Sequence, residues 1–167
     1  NDYNALTTEE IEAIRIYTTD HFTKMNATLQ DVRLDNQDGD KKLKGWAALN
    51  RLAASGLSKL PSHANPCTYR GDSNFGGLVD TLQPGTVYRT PAFFSTTSEK
   101  LTTLYFGDGV NWLVMSKSKS RGKSLEPFTL KPGENEVLYP ADTQFKVVDV
   151  FHRQDDNSVI DGEDTSA

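Results

Sequence analysis

The chain has 167 residues, 36% hydrophobic and 10% aromatic, with a formal net charge of −5; this suits one domain around a single packed core. The acidic balance gives nucleic-acid binding no electrostatic support, and the lone cysteine, Cys67, excludes an internal disulfide and hence a disulfide-stapled scaffold. No apolar run approaches the ~18 residues that span a membrane. No signal peptide is recognisable, and the start at Asn1 without methionine fits either a removed leader or a trimmed chain.

Thr7 and Glu10 form a capping box ahead of an apolar rhythm of Ile11, Ile14, Phe22, Met25 and Leu29. This predicts a helix from about Thr8 to about Leu29, with Thr18-Thr19-Asp20 as its point of fracture. The polar stretch Asp35 to Lys42 reads as a loop. It is not a calcium loop: with Gly39 in sixth place it would begin at Leu34 and end at Gly45, neither a ligand. A second helix is expected from about Lys41 to Ala54, with Leu43, Trp46, Ala47 and Leu49 or Asn50 towards one side, Trp46 in the core and Gly56 as its stop. The second half reads as short strands at Thr68–Arg70, Thr86–Arg89, Phe93–Ser95, Asn111–Ser116, Lys123–Phe128, Glu136–Tyr139 and Phe145–Arg153. A short helix is expected after Phe75, ending before Pro84-Gly85, and another from Ser98 to near Phe106-Gly107. Helices first and strands later predict an α+β domain. The tail from Gln154 is acidic and polar, with Val159-Ile160 its one apolar pair, and reads as frayed.

Chemistry concentrates in the run Pro132-Gly133-Glu134-Asn135-Glu136-Val137-Leu138-Tyr139-Pro140. Pro-Gly reads as a turn feeding a strand. Residues two apart on a strand share a face, so Glu134 and Glu136 are expected side by side, a pairing suited to positive charge in an oxocarbenium ion or a guanidinium. The plainer alternative is a solvated pair on a strand edge. Earlier, Thr68-Tyr69-Arg70-Gly71 carries an arginine, whose planar fork matches phosphate, into a glycine that lets a ligand approach the backbone. Between them, Phe93-Phe94-Ser95-Thr96-Thr97-Ser98 is an aromatic strand ending in hydroxyls. The histidines, His21, His63 and His152, lack metal-ligand spacing. Nothing local supports a Cys67–His nucleophile, and there is no Walker loop or Gly-x-Gly-x-x-Gly.

Arginine, then an aromatic-Ser-Thr strand, then Glu-x-Glu, in that order, resembles the mono-ADP-ribosyltransferases of the arginine–serine–glutamate class, especially bacterial toxin and effector members. The resemblance runs from about residue 5 to about 152. Thr7 to Thr18 looks like the family's opening helix, and Gly122-Lys123-Ser124 with Phe145-Lys146-Val147-Val148 like its closing strands. The lack of a disulfide argues against the vertebrate cell-surface relatives. The resemblance implies one catalytic domain over residues 1–167, with N-terminal helices followed by two packed β-sheets around an NAD cleft. It implies a monomer that takes NAD as a consumed substrate, needs no metal, and transfers ADP-ribose to an arginine of a target protein, with nicotinamide released. The partners it leaves out are nucleic acid and membrane. The setting it implies is a secreted or injected bacterial protein acting in the target-cell cytoplasm.

The same resemblance assigns residues. Glu136, the second glutamate, would stabilise charge on the ribose. Glu134 would orient the acceptor and take its proton, and glutamate there favours arginine. Arg70 would grip the NAD phosphates, the Gly71 backbone would hold the nicotinamide carboxamide, and Ser95 would fix Glu136. The usual triplet is Ser-Thr-Ser, whereas this chain reads Ser95-Thr96-Thr97. Thr96 joins the expected NAD contacts, as does Phe94 or Phe93 by stacking on nicotinamide, although strand aromatics are more often core. In the Leu125–Gly133 loop, Phe128 would recognise the protein substrate or else be buried. Phe106-Gly107-Asp108-Gly109 would be a cover over NAD or a plain turn. Two alternatives stay open: an NAD glycohydrolase using the same site, and a non-catalytic NAD or ADP-ribose binding module.

Overall fold

The computed structural model describes residues 5–29, 39–64, 67–72, 77–99, 109–116 and 120–151. The calcium-loop question at Asp35–Asp38, most of the helix expected after Ser98, Asp108 and the acidic tail lie outside the described residues.

Three helices come first: α1 (Thr8–Tyr17), α2 (Phe22–Leu29) and α3 (Gly39–Lys59). The capping box opens α1: Thr7 Oγ1 accepts from the Glu10 N–H and Glu10 Oε1 accepts from the Thr7 N–H. The expected fracture is real. Threonine hydroxyls compete for the helix carbonyls there, Thr18 donating to Arg15 O and Thr19 to Ile16 O, and the chain turns before α2.

Gly56 does not stop the second helix, which runs on to Lys59. A Cβ on Gly56 would lie 2.9 Å from Ile14 Cδ1 and 3.2 Å from Glu10 Cβ. Its bareness lets α1 and α3 close on each other, and that contact outweighs the helix-breaking tendency of glycine. Ala53, Leu57 and Leu60 are buried along the same face. Lys59 Nζ stands 2.6 Å from Glu10 Oε1, a buried carboxylate held below its ordinary range, first by that lysine. Pro61 then ends the run.

The strands are β1 (Cys67–Asp72), β2 (Val87–Arg89), β3 (Phe94–Thr97), β4 (Val110–Met115), β5 (Lys123–Ser124), β6 (Glu136–Tyr139) and β7 (Gln144–Lys146), with one turn of helix, α4 (Leu78–Thr81), after β1. They make a five-stranded antiparallel sheet in the order β4-β1-β3-β6-β5 and a two-stranded sheet, β2-β7. Two expected strands are shorter than their sequences suggest. After Ser124 the chain turns, Phe128 and Thr129 N–H groups donating to Leu125 O, so Phe128 is not in a strand. Beyond Lys146, among the described residues, only Val147 keeps pairing, with Thr86 and Gly85.

Alternation along β6 divides the core in two. Leu138 faces the helices and joins Ile14, Met25, Leu57, Phe93, Leu125 and others. Val137 and Tyr139 face the small sheet and join Phe94 and Val114, with Tyr88, Trp112 and Phe145 against them. Trp46 packs on the helical core only partly buried. Among the described residues no helix is long and apolar enough to cross a membrane.

The glycines of α3 give a paired test. Gly45 is exposed with nothing within 4 Å of an added Cβ, so Gly45→Ala should stabilise by about 0.5–1 kcal/mol. Gly56→Val should destabilise by roughly 1–3 kcal/mol through overpacking against α1. Urea unfolding of both variants checks the pair; equal effects would refute the close-approach account.

Candidate active site

The central strands β1, β3 and β6 and the end of α1 surround a cleft of about 360 Å³, whose wall includes Tyr17, Tyr69, Arg70, Gly71, Ser95 and Glu136. Thr18, Phe22, Lys131 and Glu134 contribute near them. That volume falls within the range of small-molecule sites.

The β3–β6 register builds the floor. Ser95 pairs with Leu138 and Thr97 with Glu136. Ser95 and Glu136 are therefore diagonal neighbours on one face, within reach of their side chains. Ser95 Oγ donates to Glu136 Oε2 at 2.5 Å. Thr96 Oγ1 donates to the Val137 carbonyl at 2.7 Å and Thr97 Oγ1 to the Glu134 carbonyl at 2.8 Å. Each hydroxyl of the Ser-Thr-Thr triplet thus has its own partner on one short segment, and threonine in the third place keeps the bond.

The two glutamates reach the cleft differently from the strand alternation expected. Glu134 lies in the turn before β6, and Asn135 between them has φ 48°. That left-handed residue, which asparagine tolerates, re-aims the chain. Glu134 is exposed, whereas Glu136 is 8% exposed. Burial pushes the Glu136 carboxyl above its ordinary range and the charge of Glu134 adds to this, while the Ser95 hydrogen bond and Lys131 oppose it.

Arg70 is fixed by a unit that the motif did not reveal. Its Nε and Nη2 donate to Asp72 Oδ2 and Oδ1 at 2.8 and 2.7 Å, and its Nη1 to the Ser95 carbonyl at 3.0 Å. Three bonds on five N–H donors leave two, among the described residues, for a ligand. Trp112 Nε1 donates to Asp72 Oδ2 at 2.8 Å. The guanidinium lies 4.5 Å from the Phe94 ring centroid, a cation–π contact. Phe94 is consequently not on the cleft wall: it is buried beneath Arg70, packed edge-on to Trp112. Phe93 is buried in the helical core, edge-on to Tyr17. Phe128 is also buried there, while Leu130 is the exposed apolar residue of the same loop.

Tyr17 is another residue that sequence reasoning missed. Its hydroxyl accepts from Asn26 Nδ2 at 3.3 Å, and Asn26 Oδ1 accepts from the Phe93 N–H at 3.1 Å, tying α1 and α2 to the residue that leads into β3. Burial raises the Tyr17 phenol well above its ordinary value. Nothing local marked Tyr17 or Asp72 beyond helix periodicity and a bare Arg-Gly-Asp. Among the described residues no group of three or more His, Cys, Asp or Glu side chains is placed to hold a metal.

A model of the ADP-ribosyltransferase exoenzyme family matches residues 1–165 of the chain. The chain belongs to that family. Among curated relatives, this exoenzyme domain is 30% identical over 145 residues to the NAD(+)–protein-arginine ADP-ribosyltransferase Tre1 of Serratia proteamaculans. That alignment takes in 86% of this chain and 29% of the relative, so the domain spans under a third of its length. The Vis toxin of Vibrio splendidus superposes with a TM-score of 0.73 at 22% identity, over 91% of this chain and 71% of that one. An ADP-ribosyltransferase of Clostridium botulinum gives 0.70 at 20% identity, over 89% and 82%. At such identities the likeness carries the fold: an ADP-ribosyltransferase fold of helices and two antiparallel sheets, as the motifs implied.

The buried Glu136 of this exoenzyme domain has a thermodynamic signature. A carboxyl whose folded pKa is raised favours the fold below its unfolded value, and that contribution is lost as pH rises through the folded pKa. Glu136→Gln mimics the neutral form and should be more stable than wild type at pH 7, the difference shrinking as the pH falls towards 4. Urea unfolding across that range measures it; a less stable variant at pH 7 would contradict a Glu136 carboxyl raised by burial.

Proposed function

We propose that the cleft binds NAD and that the domain transfers ADP-ribose from it to an arginine of a target protein. The observation that carries this reading is the pairing of unlike carboxylates: Glu136 buried and hydrogen-bonded by Ser95, Glu134 exposed at the same cleft. Within an ADP-ribosyltransferase exoenzyme family, the arginine specificity in the name of the Serratia relative supports an arginine acceptor.

In this reading the bond between the ribose C1′ and nicotinamide nitrogen breaks, its electron pair leaving with nicotinamide and positive charge gathering on the ribose. Glu136 meets that charge. Because burial makes its ionised form costly, a cation developing beside it is favoured more than the neutral ground-state sugar, which is the differential binding that lowers a barrier. Ser95 holds its rotamer. Glu134 stands where solvent and a protein side chain can reach it. It orients the guanidinium, whose pKa above 12 otherwise makes it a poor nucleophile, and takes the proton lost as nitrogen bonds to C1′. Arg70, set by Asp72, directs its two remaining donors to the diphosphate, and the Gly71 backbone lies beside the carboxamide. Thr96 acts through β6 and Phe94 through Arg70. NAD is consumed, and the scheme uses no metal. The setting we infer from the family description is a bacterial toxin or effector acting on a protein of a target cell.

Incubation with labelled NAD and agmatine, a small guanidinium that also occupies a solved Vis complex, tests the reading. Labelled ADP-ribosyl-agmatine is expected. Glu136→Gln should reduce nicotinamide release at least about 100-fold. Glu134→Gln should reduce agmatine labelling by roughly 100-fold and hydrolysis far less; equal losses would remove Glu134 from its role. Free ADP-ribose alone would make the domain a glycohydrolase, and no NAD turnover would leave a binding module.

A further inference from the structure

The segment that delivers Glu134 is poorly held by burial. Leu125 and Phe128 anchor its beginning in the helical core, but Leu130 is 58% exposed, and Lys131 to Glu134 are exposed as well. What fixes the backbone here is polar. At the far end, Glu134 O accepts from the Thr97 hydroxyl. At the near end, the Leu130 N–H donates to Thr18 Oγ1 at 3.1 Å, across 112 positions of sequence. The Thr18 hydroxyl is itself aimed, donating to Arg15 O at 2.7 Å, and Thr18 is buried at the C-terminus of α1. A neighbouring pair, Lys131 Nζ to Asp20 Oδ1 at 3.3 Å, joins the same two segments. Asp20 there is 99% exposed, so that pair contributes little. Between the two threonines lie Lys131 with Thr129 at its N–H, and the Pro132-Gly133 turn with Gly133 at φ 91°.

We propose that Thr18 is a positioning residue for the acceptor half of the reaction: its hydroxyl clamps the entry of the 130–134 segment and so sets where the Glu134 carboxylate stands. The inference rests on the acceptor role given to Glu134 above. Glu136 is positioned separately, by β6 pairing and Ser95, so loosening the clamp separates the two carboxylates functionally. A displacement of about 1 Å at a reacting group costs up to roughly 100-fold in rate, so a partly freed turn should lower transfer about tenfold relative to hydrolysis. Because Thr18 acts through Glu134, its effect should vanish once Glu134 is gone.

The experiment compares Thr18→Val, which keeps the shape and removes the hydroxyl, with Thr18→Ser, which keeps the hydroxyl. Two quantities are read: the ratio of ADP-ribosyl-agmatine to free ADP-ribose, and the hydrogen exchange of the Leu130 amide by NMR. Thr18→Val should lower the ratio about tenfold and speed Leu130 exchange, Thr18→Ser should restore both, and Thr18→Val added to Glu134→Gln should change the ratio less than about twofold. Unchanged Leu130 protection in Thr18→Val, or equal losses of transfer and hydrolysis, would overturn the proposal. A wild-type enzyme that fails to label agmatine would defeat the transfer reading instead, and the Leu130 exchange comparison would then decide the clamp alone.

Discussion

A carboxylate taken out of water must be compensated or it neutralises, and the site is organised around that constraint at Glu136. Its compensation is one diagonal hydrogen bond from Ser95, which exists only because β3 and β6 pair in the register that sets Ser95 against Leu138. The same alternation sends Leu138 to the helical core and Val137 and Tyr139 to the core between the sheets. Packing on both faces of β6 therefore holds the strand that presents the charge. The cleft opens where the end of α1 meets β1, β3 and β6.

Arg70 follows the same logic with opposite sign. Its guanidinium is held by the Asp72 fork and the Ser95 carbonyl and rests on Phe94. Asp72 is held in turn by the Trp112 indole. The Ser95 residue thus meets both charged groups, its hydroxyl binding Glu136 and its carbonyl binding Arg70, so one residue of β3 spaces the cation from the anion. The aromatic cluster of Tyr88, Phe94, Trp112 and Phe145 has a polar purpose as well as an apolar one, because two of its members orient the arginine unit.

What was legible in the sequence was what local chemistry writes down. The capping box at Thr7 and Glu10, the fracture at Thr18–Asp20 and the strand at Glu136–Tyr139 depend on neighbours within a few residues. Each of the three motifs was weak alone, and they were recognisable because they follow one another in a set order along the chain. Gly56 was misread because its meaning lies in α1, some forty residues away, where Ile14 and Glu10 occupy the space a side chain would need. Glu134 and Glu136 were expected on one face through strand alternation, whereas Glu134 lies in the turn before β6 with the left-handed Asn135 between them, and both line the cleft. Phe93, Phe94 and Phe128 were ambiguous between cleft and core because aromatic residues serve both; only the packing of Tyr17, Arg70 and Leu125 around them separates the two. Asp72 grips Arg70 from only two residues away, but the Trp112 indole that holds it comes from β4, and the Thr18–Leu130 bond spans 112 positions, so neither arrangement has a local signature.

The hydroxyl triplet on β3 also bears on how such a domain can change over time. Ser95, Thr96 and Thr97 reach three different points between Glu134 and Glu136–Val137. A slip of one residue between β3 and β6 would turn every side chain to the opposite face and break all three bonds together. Insertions and deletions are therefore barred from this pair of strands, while loops elsewhere can lengthen or shorten. Drift in sequence should concentrate outside the β3–β6 ladder, and divergent members of the family should be alignable there when little else can be matched.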